Sequence, residues 1–274
     1  MTLVARFLRR QVALPPEHGA WVFLLAPLLI GIAAGGRLRV PTIYLVVAAL
    51  CAFLVRQPIT IGLKALTRRR SRDVLPAVGF WIAGYSALGL LHVVGLVLRG
   101  FDYVLWLAVP GIPVFIWHLI LIGRREQRRQ WLIEVVGAGV LALIAPAGFW
   151  IGLGRADPVG WWLWVLTWFQ SVSWIFFAYL RLTQREAKPA AAGGARPRGW
   201  SLPAVVSALV PLAIAVALGL ADVVSDWLWV ALLVQTLETI RGVLRPAVGA
   251  KPRAIGYRQL VVSVIQTTLF MLLW

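Results

Sequence analysis

LPPEHGAWVFLLAPLLIG, residues 14–31, sets two prolines and the ionisable pair Glu17–His18 directly before an apolar run. Continued to residue 35, the run has the length that a helix needs to cross a bilayer, roughly 17–25 mostly apolar residues. The same pattern recurs along the chain, at about 40–56, 75–98, 103–122, 131–153, 160–181, 201–221, 227–244 and 258–274. Of the 274 residues, 61% are hydrophobic and only 14% charged, too little charge to cover a soluble domain of this size. The expected fold is all-α: a polytopic integral membrane helix bundle of about nine transmembrane helices.

The cationic residues test the count. Lys and Arg total 27. Counted in the segments flanking nine spans, 23 fall on one side and 4 on the other. The positive-inside rule then places the N-terminus in the cytoplasm and the C-terminus outside; an eight-span arrangement breaks the alternation. The net charge of +17 is thereby a topology signal and an attraction to anionic lipid, and nucleic acid is not an expected partner. Trp150, Trp161, Trp162, Trp164, Trp227, Trp229 and Trp274 fall near the expected outer ends, as an interfacial belt would. The sum is a multi-pass protein of the bacterial cytoplasmic (inner) membrane.

Residues 1–17 read as a cytoplasmic interfacial segment. Val4, Phe7 and Leu8 share one helical face, Arg6, Arg9 and Arg10 the other, and Pro15–Pro16 end it. The segment has no signal-peptide pattern. Residues 18–274 then form a single bundle. Its one low-complexity stretch, AKPAAAGGARPRGW at 187–200, reads as a flexible cytoplasmic loop. The single cysteine, Cys51, lies in an apolar run and excludes an intrachain disulfide. No residues have metal-ligand spacing, and no motif implies a cofactor.

The stretch PPEHGAWVFLLAPLLIG resembles the YwiC-like family of bacterial membrane proteins. RREQRRQWLIEVVGAGVLAL (124–143) and WFQSVSWIFFAYLRLTQRE (168–186) are similar to further segments of that family, although Ile133–Glu134 stands where the family has Asn-Asp. The resemblance implies a polytopic membrane protein and brings no activity with it. More distantly, nine spans with an inside N-terminus and polar loops after spans two and six look like the UbiA prenyltransferase superfamily. Its two Asp-rich motifs would hold magnesium against a prenyl pyrophosphate at those loops. Here RQPITIGLKALTRRRSRD (56–73) offers only Asp73, and RLTQREAKPAA (181–191) only Glu186. Two isolated acids do not supply the oxygen ligands that such a site recruits.

Ionisable residues inside apolar spans are expensive and usually face a bundle interior or water. Glu17, His18, Arg56, His118, Glu134, Arg181, Glu238 and Arg241 all fall toward the expected cytoplasmic ends of their spans. They are the candidate lining of one polar pocket for an anionic or isoprenoid lipid, or a quinone. Arg258 and Gln259 begin span nine at the same depth. Each residue also has a structural reading: Arg56, Arg181 and Arg258 as snorkelling side chains, Glu238 paired with Arg241 one turn on, and Glu17 as a helix cap. The competing readings of the whole protein are a metal-independent, UbiA-like prenyltransferase, a transporter, and a scaffold subunit of a membrane complex.

Overall fold

A computed structural model describes residues 7–15, 18–67, 69–124, 130–186 and 199–274, without the side chains of His18, Gly123, Arg124 and Gln130. The described elements are helical throughout: α1 (Arg10–Ala13), α2 (His18–Ala34), α3 (Val40–Leu66), α4 (Leu75–Leu98), α5 (Gly111–Arg124), α6 (Gln130–Ala142), α7 (Ile144–Leu153), α8 (Val159–Glu186), α9 (Ser201–Leu220), α10 (Leu228–Leu244) and α11 (Pro252–Leu273). Two 3₁₀ turns, Arg72–Val74 and Asp102–Ala108, lead into α4 and α5. Among the described residues, seven segments are long and apolar enough to cross a membrane, while α2 and α10 have 17 residues each. The chain is a polytopic helical membrane protein.

Several boundaries differ from the hydropathy reading. Helix α3 runs ten residues beyond 56, because Ile61 and Ala65 continue its apolar face and bury against Val12 of α1, Val74 of the turn before α4, and Ala77 and Val78 of α4. Helix α1 is thus tucked against α3 and α4: Val12 is 1% exposed, and Arg9 reaches Asp73 at 2.8 Å. Residues 1–6 and 16–17 of the expected amphipathic segment 1–17, and 187–198 of the expected loop 187–200, lie outside the described residues.

The stretch 131–153 is broken at Leu143 into α6 and α7. Pro146 has no N–H for the Ala142 carbonyl, so the ladder loses a bond where the helix breaks. Indoles from α8 hold the first half in place: Trp164 Nε1 donates to the Gly139 carbonyl and Trp168 Nε1 to that of Val135, both at 2.9 Å.

Small residues let α7 pack directly on α2. A Cβ on Gly31 would collide with the backbone of Ala145, and one on Gly152 would come within 2.6 Å of the Gly35 Cα. Lipid offers no hydrophobic drive between helices, so such close backbone contact supplies the association. The loop after α2 adds Arg39, whose Nε donates to the Gly152 carbonyl at 3.1 Å, one of the last groups of α7.

Helices α8 to α11 form the other half. Pro211 lies inside α9 and leaves the Ser207 carbonyl without its i+4 donor. The Ser173 hydroxyl of α8 donates to that carbonyl, and Thr236 Oγ1 of α10 donates to the adjacent Ala208 carbonyl at 3.1 Å. Neighbouring helices thereby satisfy the backbone that proline frees, as lipid demands. The tryptophans divide in the same way. Trp161, Trp162 and Trp227 are exposed, as the interfacial reading expects, but Trp150 is 5% exposed and donates Nε1 to the Asp157 carbonyl at 2.8 Å.

Candidate functional site

At the end of the bundle where α8 and α10 finish and α11 begins, Arg258 grips Glu238 with one edge of its guanidinium. Nε donates to Oε1 and one terminal nitrogen to Oε2, each at 2.6 Å. The geometry is the bidentate fork that Arg forms best with a carboxylate. Glu238 is 8% exposed, so its charge depends on this partner; the Arg258 side chain is 44% exposed. Arg241, one turn along α10, stands 3.6 Å from Oε2 and is 45% exposed. One carboxylate therefore faces two half-exposed guanidiniums.

Arg181 of α8 completes the cationic set in a structural role. It donates to the Gly242 carbonyl at 3.1 Å and the Arg245 carbonyl at 2.9 Å. These are terminal acceptors of α10, which lack intrahelical donors and attract a cation. Gln184 fixes the same end, donating to the Gly242 carbonyl at 3.0 Å and accepting the Ala247 N–H at 3.3 Å. Arg181 also lies within electrostatic reach of Glu238 and Arg258.

The structure thus brings together Arg181, Glu238 and Arg241 from the expected set and adds Arg258. It places others elsewhere. Glu134 of α6 accepts from the Tyr179 hydroxyl at 3.2 Å, and the Tyr179 ring stacks on Trp200 at 4.8 Å. Tyr179 and Arg181 are two residues apart, about 200° around a helix, so Glu134 sits on the far side of α8 from Glu238. Arg56 lies over the Phe53 ring at 5.0 Å on α3, and His118 is half-buried on α5. Glu17 and the His18 side chain lie outside the described residues.

Deeper in the same half is a layer of polar side chains that hydropathy passes over. Gln170, Ser171 and Ser173 of α8, Gln235, Thr236 and Thr239 of α10, and Ser263, Gln266 and Thr267 of α11 are all buried. Trp174 Nε1 donates to Gln266 Oε1 at 2.9 Å, and Gln259 Nε2 to the Trp174 carbonyl at 2.8 Å. The sequence carries a signal for this layer: Gln followed by Ser or Thr at 170–171, 235–236 and 266–267, each inside an apolar helix. Among the described residues, no group of three or more His, Cys, Asp or Glu is placed to hold a metal ion.

The family described as YwiC-like protein matches residues 14–149, close to half of the chain. Over these residues the chain is similar to the YwiC-like family. It is 27% identical over 156 residues to a Bacillus subtilis (strain 168) relative named "Uncharacterized protein YwiC", a match covering 56% of this chain and 60% of that protein. The match thus spans less than two thirds of the relative's length. No solved structure matches the chain. The YwiC-like region holds α2 to α6 and part of α7, with Arg56, His118 and Glu134; the cluster on α8, α10 and α11 follows it.

Proposed function

We propose that this YwiC-like protein resides in the bacterial cytoplasmic membrane and binds an anionic amphiphile, such as an isoprenoid phosphate or another anionic lipid. Its headgroup would sit against Arg241 and Arg258 at the end of the bundle that the charge distribution assigns to the cytoplasm. One observation carries the reading: two guanidiniums face the single carboxylate of Glu238, one more than its charge balances, and both are about half exposed. A structural ion pair needs one arginine. The further charge at a membrane interface is what an anionic headgroup would use, and arginine suits a phosphate oxygen cluster by its planar array of donors. Arg181 supports the set by holding the end of α10, which carries Glu238 and Arg241.

The test is to purify the full chain in mild neutral detergent and identify the co-purifying amphiphiles by mass spectrometry. The reading expects an anionic species retained by the native protein and depleted in Arg241→Gln. Retention of neutral lipids alone would contradict it.

A further inference from the structure

Gln170 on α8 and Gln235 on α10 are 1% and 2% exposed, yet three of their four amide heavy atoms have no hydrogen-bond partner: Gln170 Nε2, Gln170 Oε1 and Gln235 Oε1. The fourth, Gln235 Nε2, donates to Thr239 Oγ1 at 3.1 Å. Buried amides in a bundle are almost always paired, because an unmade bond is costly in a low-dielectric interior.

The two side chains occupy one level between the same two helices. Helix α9 returns between α8 and α10, so these two run parallel. Toward their C-terminal ends Phe177 packs on Gly242, where an added Cβ would come within 2.6 Å of the ring. Seven residues back along each helix, two turns, stand Gln170 and Gln235. Cross-links at neighbouring positions hold this register, from Ser173 to the Ser207 carbonyl and from Thr236 to the Ala208 carbonyl. The register thus places both residues at one level on the facing sides of the two helices, and their amides do not bond to each other.

We infer that Gln170 and Gln235 form a buried, neutral polar site that takes one hydroxyl group bridging them. The vacant capacity selects that chemistry. Both Oε1 atoms accept and Gln170 Nε2 donates, so the bridging group must donate and accept at once. An anion would meet two carbonyl oxygens, and a cation would meet the amide N–H. The hydroxyl comes either from a single water or from an uncharged amphiphile such as a long-chain alcohol. This site does not depend on the arginine cluster, from which Gln235 is separated by one turn of α10.

The test is a high-resolution cryo-electron microscopy structure of the full chain, purified from its own membranes into phosphatidylethanolamine nanodiscs. The same sample is analysed by native mass spectrometry. Compact density between the two amides, with no adduct retained, supports the site with water as its source. Elongated density with an uncharged adduct of matching mass supports it with an amphiphile. Either feature should vanish in Gln170→Leu and, independently, in Gln235→Leu, with the helices unmoved. A direct amide–amide bond with nothing between overturns the inference, as does density that persists in both variants.

Discussion

Arg258 at the start of α11 and Glu238 near the end of α10 are joined by two hydrogen bonds of 2.6 Å, and this fork fixes how the last two helices meet. Breaking a buried pair strands one charge, which costs more than the pair itself contributes. Arg258→Leu is expected to destabilise the protein by about 2–3 kcal/mol, toward the low end for such changes because Arg258 is half exposed. Glu238→Leu combined with Arg258→Leu should cost less than Arg258→Leu alone. Unfolding of the variants in detergent micelles checks this, and additive costs would show that the pair carries no coupling.

Ser173 and Pro211 provide a second cycle. Ser173→Ala leaves the Ser207 carbonyl unpaired, at an expected cost of about 0.5–1.5 kcal/mol for a hydrogen bond between membrane helices. Pro211→Ala returns an N–H to that carbonyl. In the Pro211→Ala background, Ser173→Ala should therefore have a smaller effect, measurable in the same unfolding assay. An undiminished effect would mean that proline does not create the need for the serine.

The α2–α7 contact predicts a contrast between glycines. Gly152→Ala places a methyl group against the Gly35 backbone and should destabilise the bundle by about 1–3 kcal/mol, as overpacking does. Gly137→Ala, on α6 with nothing within 4 Å of the added carbon, should be neutral or slightly stabilising. Thermal melts of the two variants distinguish a specific contact from a general intolerance of larger residues.

The helical class, the membrane setting and most spans were legible from apolar length alone. Hydropathy could not see that Leu143 interrupts the fifth stretch, because Ala142 and Leu143 are as apolar as their neighbours; Pro146 was the available signal. It also ended α3 at Arg56, where the helix continues on contacts with α1 and α4. In the candidate site, Glu238 and Arg241 were visible as charges in a span, and their spacing foretold the 3.6 Å pair. The tighter partner, Arg258, lies 20 residues away on the next helix, a distance that only packing spans. Glu134 shared a depth with Glu238, but depth says nothing about which side of α8 a neighbour occupies. The glutamine layer was overlooked because uncharged polar residues scarcely alter a hydropathy window, although the Gln-Ser and Gln-Thr pairs mark it.

Orientation is open to a direct test. Given 23 of 27 cationic residues on alternate segments, a reporter fused after Trp274 should read as extracytoplasmic and one inserted in 187–199 as cytoplasmic. Cytoplasmic readings at both positions would overturn the nine-span arrangement.

Chelation separates the arginine account from a magnesium-dependent one. Asp73 is tied to Arg9 at 2.8 Å, and Glu186 stands exposed at the end of α8. Neither belongs to a carboxylate cluster among the described residues. Binding of an isoprenyl phosphate should therefore be unchanged by EDTA; binding abolished by the chelator and restored by magnesium would contradict the arginine site.

The most direct measurement is a calorimetric titration of farnesyl phosphate into the full chain in neutral-detergent micelles, beside the same titration of Arg241→Gln and a farnesol control. Arg241 is the informative position because it is half exposed and leaves the Arg258–Glu238 fork intact when neutralised. The account predicts saturable binding of the phosphate, no comparable binding of farnesol, and a loss of about tenfold or more in affinity in Arg241→Gln, the scale of one hydrogen bond to a charged group. Equal affinity of the native and variant proteins for farnesyl phosphate, or equal binding of the alcohol, would contradict it.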